Sequence, residues 1–281
     1  MIRKLGLIAG GGTLPGTLAS HCLSAGRSIF VVRLAGFADA DLESFPGVEV
    51  GLAELGRCIR ELKAAGCEAV CLAGYVTRPK LLQLRPDWRG LLAIPGVFAA
   101  MRNKGDDPLL RHLANIFEKE GFAVEGAHQV MGELTLPVGP LGKHKPSPEH
   151  DADIARALQV AREIGKLDVG QAAVSCGGQV LAVEAQDGTD AMLRRVAEMP
   201  ESVRGTPVHP RGVLAKAPKP IQDIRMDMPT IGLGTLQRAA RAGLAGIAGE
   251  AGKVLVLDRD QVTEMADELG LFIVGVTADP R

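Results

Sequence analysis

A chain of 281 residues has room for one large or two modest domains, and 46% hydrophobic against 23% charged residues excludes whole-chain disorder. Lys and Arg number 32 against 33 Asp and Glu, a net charge of -1, and aromatic residues are only 3%. The basic groove and stacking platforms of a nucleic-acid binder are therefore missing, and no nucleic-acid partner is expected. No apolar run reaches the ~18 residues of a membrane span, and Met1-Ile2-Arg3-Lys4 does not open a signal peptide. Five scattered cysteines, Cys22, Cys58, Cys67, Cys71 and Cys176, fit reduced thiols in the core of a cytoplasmic protein.

The first half alternates strands and helices. Lys4 to Ala9 predicts a strand that ends in Gly10-Gly11-Gly12, followed by a helix over Thr13 to Ala25 and a strand over Ser28 to Leu34. A helix over Leu52 to Ala65, stopped by Gly66, and a strand over Glu68 to Ala73 complete β-α-β-α-β, hence a parallel sheet. Helices follow at Leu91 to Arg102 and Pro108 to Glu120. Residues 134–148, rich in proline and glycine, read as a linker between domains at 1–133 and 149–281. Beyond it Ser147 and Pro148 start a helix reaching Ile164, and strands at Ala172 to Ser175 and Val180 to Glu184 turn about Gly177-Gly178. A helix from Thr189 to Met199, a strand from Gly212 to Ala217, a Pro-rich loop, a helix from Thr235 to Arg241 and strand-helix-strand from Lys253 to Thr277 follow. The expected fold is two α/β domains, a Rossmann-like parallel sheet and then a second, mixed α/β domain.

Four stretches could carry chemistry. Glycines between a strand and a helix let backbone N–H groups approach a phosphate, or simply make a tight turn. The dinucleotide fingerprint is incomplete, because Pro15 stands at the third glycine position and Arg33, not an acid, lies at the end of the second strand. In the stretch from Lys216 to Gly232, Asp223 and Asp227 could ligate Mg²⁺, Arg225 could fork onto a phosphate, and Lys216 or Lys219 could add charge; a salt-bridged edge strand is the alternative. Thr189 is an N-cap whose hydroxyl and helix start could also hold a phosphate. Lys104-Gly105-Asp106-Asp107 could meet metal or ribose, or only start a helix. His144, Glu149, His150, Asp151 and Asp153 look like a metal set on paper, but they surround a helix start and lack zinc spacing. Neither a serine-nucleophile elbow nor a P-loop is present.

The combination of Gly6-Leu7-Ile8-Ala9-Gly10-Gly11-Gly12 with Leu14-Pro15, Lys104 to Asp107, Leu181 to Ala185 with Gly188 to Leu193, Gln222 to Asp227 before Pro229-Thr230-Ile231-Gly232, and Gly243 to Ala248 resembles the UDP-2,3-diacylglucosamine pyrophosphatases of the LpxI type. The resemblance runs nearly end to end, and its own pattern contains Gly-Gly-Gly-x-Leu-Pro. It implies a Mg²⁺-dependent hydrolase of lipid A biosynthesis, with Mn²⁺ an alternative ion, that cleaves UDP-2,3-diacylglucosamine into UMP and 2,3-diacylglucosamine 1-phosphate. It further implies two domains that open and close, a transient visit to the cytoplasmic face of the inner membrane, and leaves a homodimer open. On this basis Gly10, Gly11 and Gly12 approach the UDP portion, Asp223 and Asp227 serve metal or water, Arg225 serves phosphate charge and Thr189 the sugar phosphate. Lys104, Asp106, Asp107, Lys216, Gln222 and Thr230 are further substrate candidates, and Leu233, Leu236, Leu244 and Ile247 are candidates for an acyl-chain groove. The rival readings are an NAD(P)-dependent oxidoreductase, with Arg33 on a 2′-phosphate, and a non-catalytic nucleotide-sugar-binding protein.

Overall fold

The computed structural model describes residues 2–76, 87, 107–220 and 222–277. They group into two compact units, Met1–Gly132 with Arg225–Asp227, and Glu133–Ile224 with Met228–Arg281.

In the first unit β1 (Leu5–Ala9), α1 (Thr13–Ser24), β2 (Ile29–Leu34), β3 (Gly47–Val50), α2 (Leu55–Ala64), β4 (Ala69–Ala73), α3 (Asp107–Lys119), β5 (Ala123–Val124) and the short α4 (Ala127–Val130) follow in order. The sheet is wholly parallel, in the order β3-β2-β1-β4-β5. Every residue of β1 is buried, as a strand covered on both faces must be, which explains its unbroken apolar run. Cys58, Ile59 and Leu62 turn one face of α2 onto a core shared with Val32, Val70, Phe117 and Phe122. The predicted strands and helices up to β4 form, whereas β3 and β5 were not anticipated. The helix expected at Leu91 to Arg102 lies outside the described residues.

The second unit comprises β6 (Gly139–Leu141), α5 (Pro148–Lys166), β7 (Ala172–Cys176), β8 (Gln179–Val183), α6 (Gly188–Ala197), β9 (Val213–Lys216), β10 (Thr230–Ile231), α7 (Leu233–Arg241), β11 (Gly246–Glu250), β12 (Leu255–Val256), α8 (Arg259–Leu269) and β13 (Phe272–Val276). Its six-stranded sheet has the order β6-β13-β11-β9-β7-β8, with β9, β11 and β13 parallel and β6, β7 and β8 antiparallel to their neighbours. Ile154, Ala157, Leu158 and Ala161 of α5 pack with Ala173, Val213 and Ala215 in one core cluster, while α6, α7 and α8 pack with Val174, Leu214, Ile247 and Ile273 in the other.

Two expectations change here. The stretch 134–148 read as a linker contains β6, paired to β13, and Leu134 and Leu136 are buried. Its prolines are tolerated because β6 is an edge strand, where a missing N–H costs nothing on the open side. Leu236, Leu244 and Ile247 are wholly buried in the core and Leu233 packs against it, so they do not line an acyl groove.

The Gly177-Gly178 turn forms as expected, with φ of 61° and 76°, the left-handed pair a two-residue hairpin requires. Asp153 of α5 clamps it. Its buried carboxylate accepts hydrogen bonds from Ser175 Oγ at 2.8 Å, Gly177 N at 3.0 Å and Gly178 N at 2.8 Å. This is a structural use of a residue that the sequence placed in a paper metal set; His150 in turn accepts from Ser147 N at the helix start. Asp153→Ala leaves those donors without their carboxylate and is expected to cost about 2–3 kcal/mol in urea denaturation.

All five thiols are buried and unpaired by disulfides. Burial pushes Cys58 and Cys71 up to about 12. Both stay protonated in the native state after the unfolded chain has ionised, so each lowers stability as pH rises from the ordinary thiol range toward about 12. A thiol reagent at pH 8 is expected to leave Cys58 and Cys71 unmodified in the native protein and to label both in denaturant.

Candidate functional site

In an open parallel sheet, ligands bind beyond the carboxyl ends of the strands where the strand order reverses. In the first unit that point lies between β1 and β4. There Gly10, Gly11 and Gly12 leave β1 and Gly74 and Tyr75 leave β4, joined by a bridge between Gly11 and Tyr75. Glycine is needed because the two loops approach so closely: a Cβ on Gly10 would lie 2.5 Å from the Tyr75 carbonyl oxygen, and one on Gly11 2.8 Å from the Tyr75 ring and 2.9 Å from the Phe37 carbonyl oxygen. Gly12 also has φ of 93°. Pro15 fills space against Gly74, which accounts for proline where a third dinucleotide glycine is absent.

The backbone donors of this turn are already engaged. Gly10 N–H donates to the Ala73 carbonyl at 2.9 Å, Gly11 N–H to the Tyr75 carbonyl at 3.0 Å, and Gly12 N–H to Asp39 Oδ2 at 2.7 Å. A phosphate at Gly12 must therefore take the place of the Asp39 carboxylate. Sequence reasoning missed Asp39, which the loop after β2 carries back onto the glycine turn, because it sought an acid at the strand end. Arg33, which stands there, donates to the Leu42 and Phe45 carbonyls and acts as a backbone staple. Tyr75, the single tyrosine, sits against the turn with 62% of its surface exposed.

The second unit gathers charge at the carboxyl ends of β9 and β11. Lys216 and Glu250 end those strands, Glu184 follows β8, and their surfaces are only 4%, 4% and 7% exposed. Lys216 pairs across the sheet with Ala172, whose carbonyl accepts from Glu184 N–H. Alternation puts Lys216 and Glu184 on the face of Leu214 and Ala182, so the small Ala172 stands between an ammonium and a carboxylate whose Cα atoms are about 10 Å apart. Lys216 Nζ donates to the Thr230 carbonyl at 2.9 Å. Glu184 accepts from Thr189 Oγ1 at 2.6 Å and from Gln171 N–H at 3.0 Å. Glu250 pairs with Arg162 of α5 and with Lys253. Glu184 and Glu250 look like surface acids in sequence; only the sheet register reveals their burial.

Thr189 is not the helix cap that its position suggested. Asp187 occupies the N-cap and α6 begins at Gly188. Because the one proton of the Thr189 hydroxyl goes to Glu184, its oxygen has only lone pairs left to offer a ligand. Such a group accepts from a hydroxyl or amide N–H and is ill suited to a phosphate oxygen.

The stretch after β9 is a loop with a turn at Ile224 to Met226, so the alternation of an extended strand does not apply to Asp223, Arg225 and Asp227. Lys219 is tied to Asp168 at 2.6 Å, and the Gln222 side-chain oxygen accepts from Lys219 N–H at 3.2 Å. Gln222, Asp223 and Thr230 belong to the second unit, whereas Arg225 and Asp227 group with the first. Arg225 pairs with Glu118 of α3 at 2.8 Å, and Asp227 is exposed. Lys104 and Asp106 lie outside the described residues; Asp107 begins α3. Among the described residues no group of three or more His, Cys, Asp or Glu side chains could hold a metal, and no helix is long and apolar enough to cross a membrane.

Residues 4–134 match the model of the LpxI N-terminal domain and residues 137–274 that of the LpxI C-terminal domain. Along 280 residues, covering all of both chains, the protein is 61% identical to a protein of Caulobacter vibrioides named UDP-2,3-diacylglucosamine pyrophosphatase LpxI. At that identity over the whole length, with both domains matched in order, the chain belongs to the LpxI family.

Proposed function

We propose that this protein hydrolyses the pyrophosphate bond of UDP-2,3-diacylglucosamine to UMP and 2,3-diacylglucosamine 1-phosphate, as a cytoplasmic enzyme that meets its lipid at the inner-membrane surface. The observation that carries this reading is the full-length identity to a relative of that name. The glycine turn at the switch point of the first sheet supports a nucleotide site there, with Asp39 placed for ribose hydroxyls once a phosphate takes the Gly12 N–H.

Water attack on a pyrophosphate phosphorus puts charge on nonbridging and leaving oxygens, so positioning and fixed cations matter more than a nucleophilic side chain. In this reading Asp227 orients the attacking water or a metal ligand, Arg225 serves phosphate charge, and Lys216 of the second unit offers a buried ammonium to the anionic substrate. Thr189 and Glu184 receive a hydroxyl or amide N–H of the acylated sugar. Asp223 and Asp227, four residues apart in sequence, offer the hard oxygen donors that Mg²⁺ or Mn²⁺ prefers, with waters and phosphate oxygens as the ion's other ligands. When bound, that ion supplies positive charge to the phosphate oxygens.

A chelator tests the metal. UMP release is expected to stop in excess EDTA and to return on adding Mg²⁺ or Mn²⁺; full turnover in EDTA after prior dialysis against chelator contradicts metal dependence.

A further inference from the structure

We propose that Met226 and Gly126 are positioning residues that fix Asp227 to the first unit. The proposal rests on the catalytic reading of Asp227 given above. The chain reaches Ile224 and leaves at Met228 as part of the second unit, yet Arg225–Asp227 groups with the first. Between two charged neighbours, Met226 is 8% exposed and belongs to the core cluster of Phe117, Phe122, Val124 and Ile8. A flexible thioether side chain suits an anchor inserted from a distant loop into an existing core.

Gly126 supplies the second attachment. Its φ of -80° and ψ of 159° suit any residue, so no backbone strain calls for glycine. Space does: a Cβ at Gly126 would lie 2.8 Å from the Cα of Arg225 and 2.6 Å from His128 Cε1. The backbone of the tripeptide thus lies directly on the loop that links β5 to α4. The Arg225–Glu118 pair ties it to α3 as well. Three attachments converge on one tripeptide, and Asp227 is its last residue. Where this carboxylate stands is set by the sheet that carries the glycine turn, although the chain before and after it belongs to the other unit.

Three variants test this, each assayed for UMP release at a temperature where circular dichroism shows it folded. Gly126→Ala and Met226→Ala are expected to lower kcat about tenfold to a hundredfold with KM within about threefold, as expected when a group acting in the transition state is displaced. Met226→Leu, which restores apolar bulk, is expected to return kcat to within about threefold of the parent. The proposal is overturned if folded Gly126→Ala keeps kcat within about twofold of the parent, or if Met226→Leu is as slow as Met226→Ala. Asp227→Ala, assayed alongside, separates the two levels: if it too is fully active, the reading of Asp227 itself has failed, whereas an inactive Asp227→Ala beside an unimpaired Gly126→Ala defeats only the anchor.

Discussion

Asp227→Ala is expected to reduce UMP release by about a thousandfold while leaving the melting temperature within a few degrees of the parent. The exposed Asp227 side chain contributes little burial to folding, and its neighbour Met226, which does, remains in place. A large catalytic loss with little structural loss is the signature of a group used in the reaction. Asp227→Asn sharpens the result, since it keeps the shape and removes the charge needed for metal or for orienting water. A variant with near-parental turnover would remove Asp227 from the mechanism, and the same result for Asp223→Ala as well would remove the metal assignment.

Lys216→Met is expected to lower kcat/KM by about a hundredfold, since methionine replaces the apolar stem and discards the charge. The change also takes a buried cation from the face of the sheet that carries the buried Glu184, so stability falls too. These effects are separable. Lys216→Met combined with Glu184→Gln is expected to regain stability without regaining activity. Recovery of activity along with stability would mean that Lys216 serves only the fold.

The first sheet was legible because its strands are continuous apolar runs punctuated by glycines, and the helices between them carry an apolar face. The second was less so. β11, Gly-Ile-Ala-Gly-Glu, falls where the sequence predicts no element, and Gly246 and Gly249 are glycines because Phe272 and Leu136 press onto them: a Cβ would lie 2.4 Å and 2.9 Å away. β6 hid in prolines for the edge-strand reason. Among the candidate residues, Lys216, Asp227 and Thr189 could be picked out by residue type, but their partners could not. Asp39 and Gly126 act through contacts made across tens of residues, Glu184 is buried by the register of its sheet, and Met226, set between Arg225 and Asp227, has no helical or strand pattern to announce its burial. The four aliphatic residues proposed for an acyl groove show the converse error, since composition alone cannot distinguish a binding surface from a core.

Incubation of the purified protein with UDP-2,3-diacylglucosamine and Mg²⁺, with both products identified by mass spectrometry, decides whether the pyrophosphate bond is the one cleaved. UMP and 2,3-diacylglucosamine 1-phosphate are expected in equal amounts from the parent and in trace amounts from Asp227→Ala. Folded parent protein that binds the nucleotide sugar but releases no UMP, or that releases UDP instead, would contradict pyrophosphate hydrolysis.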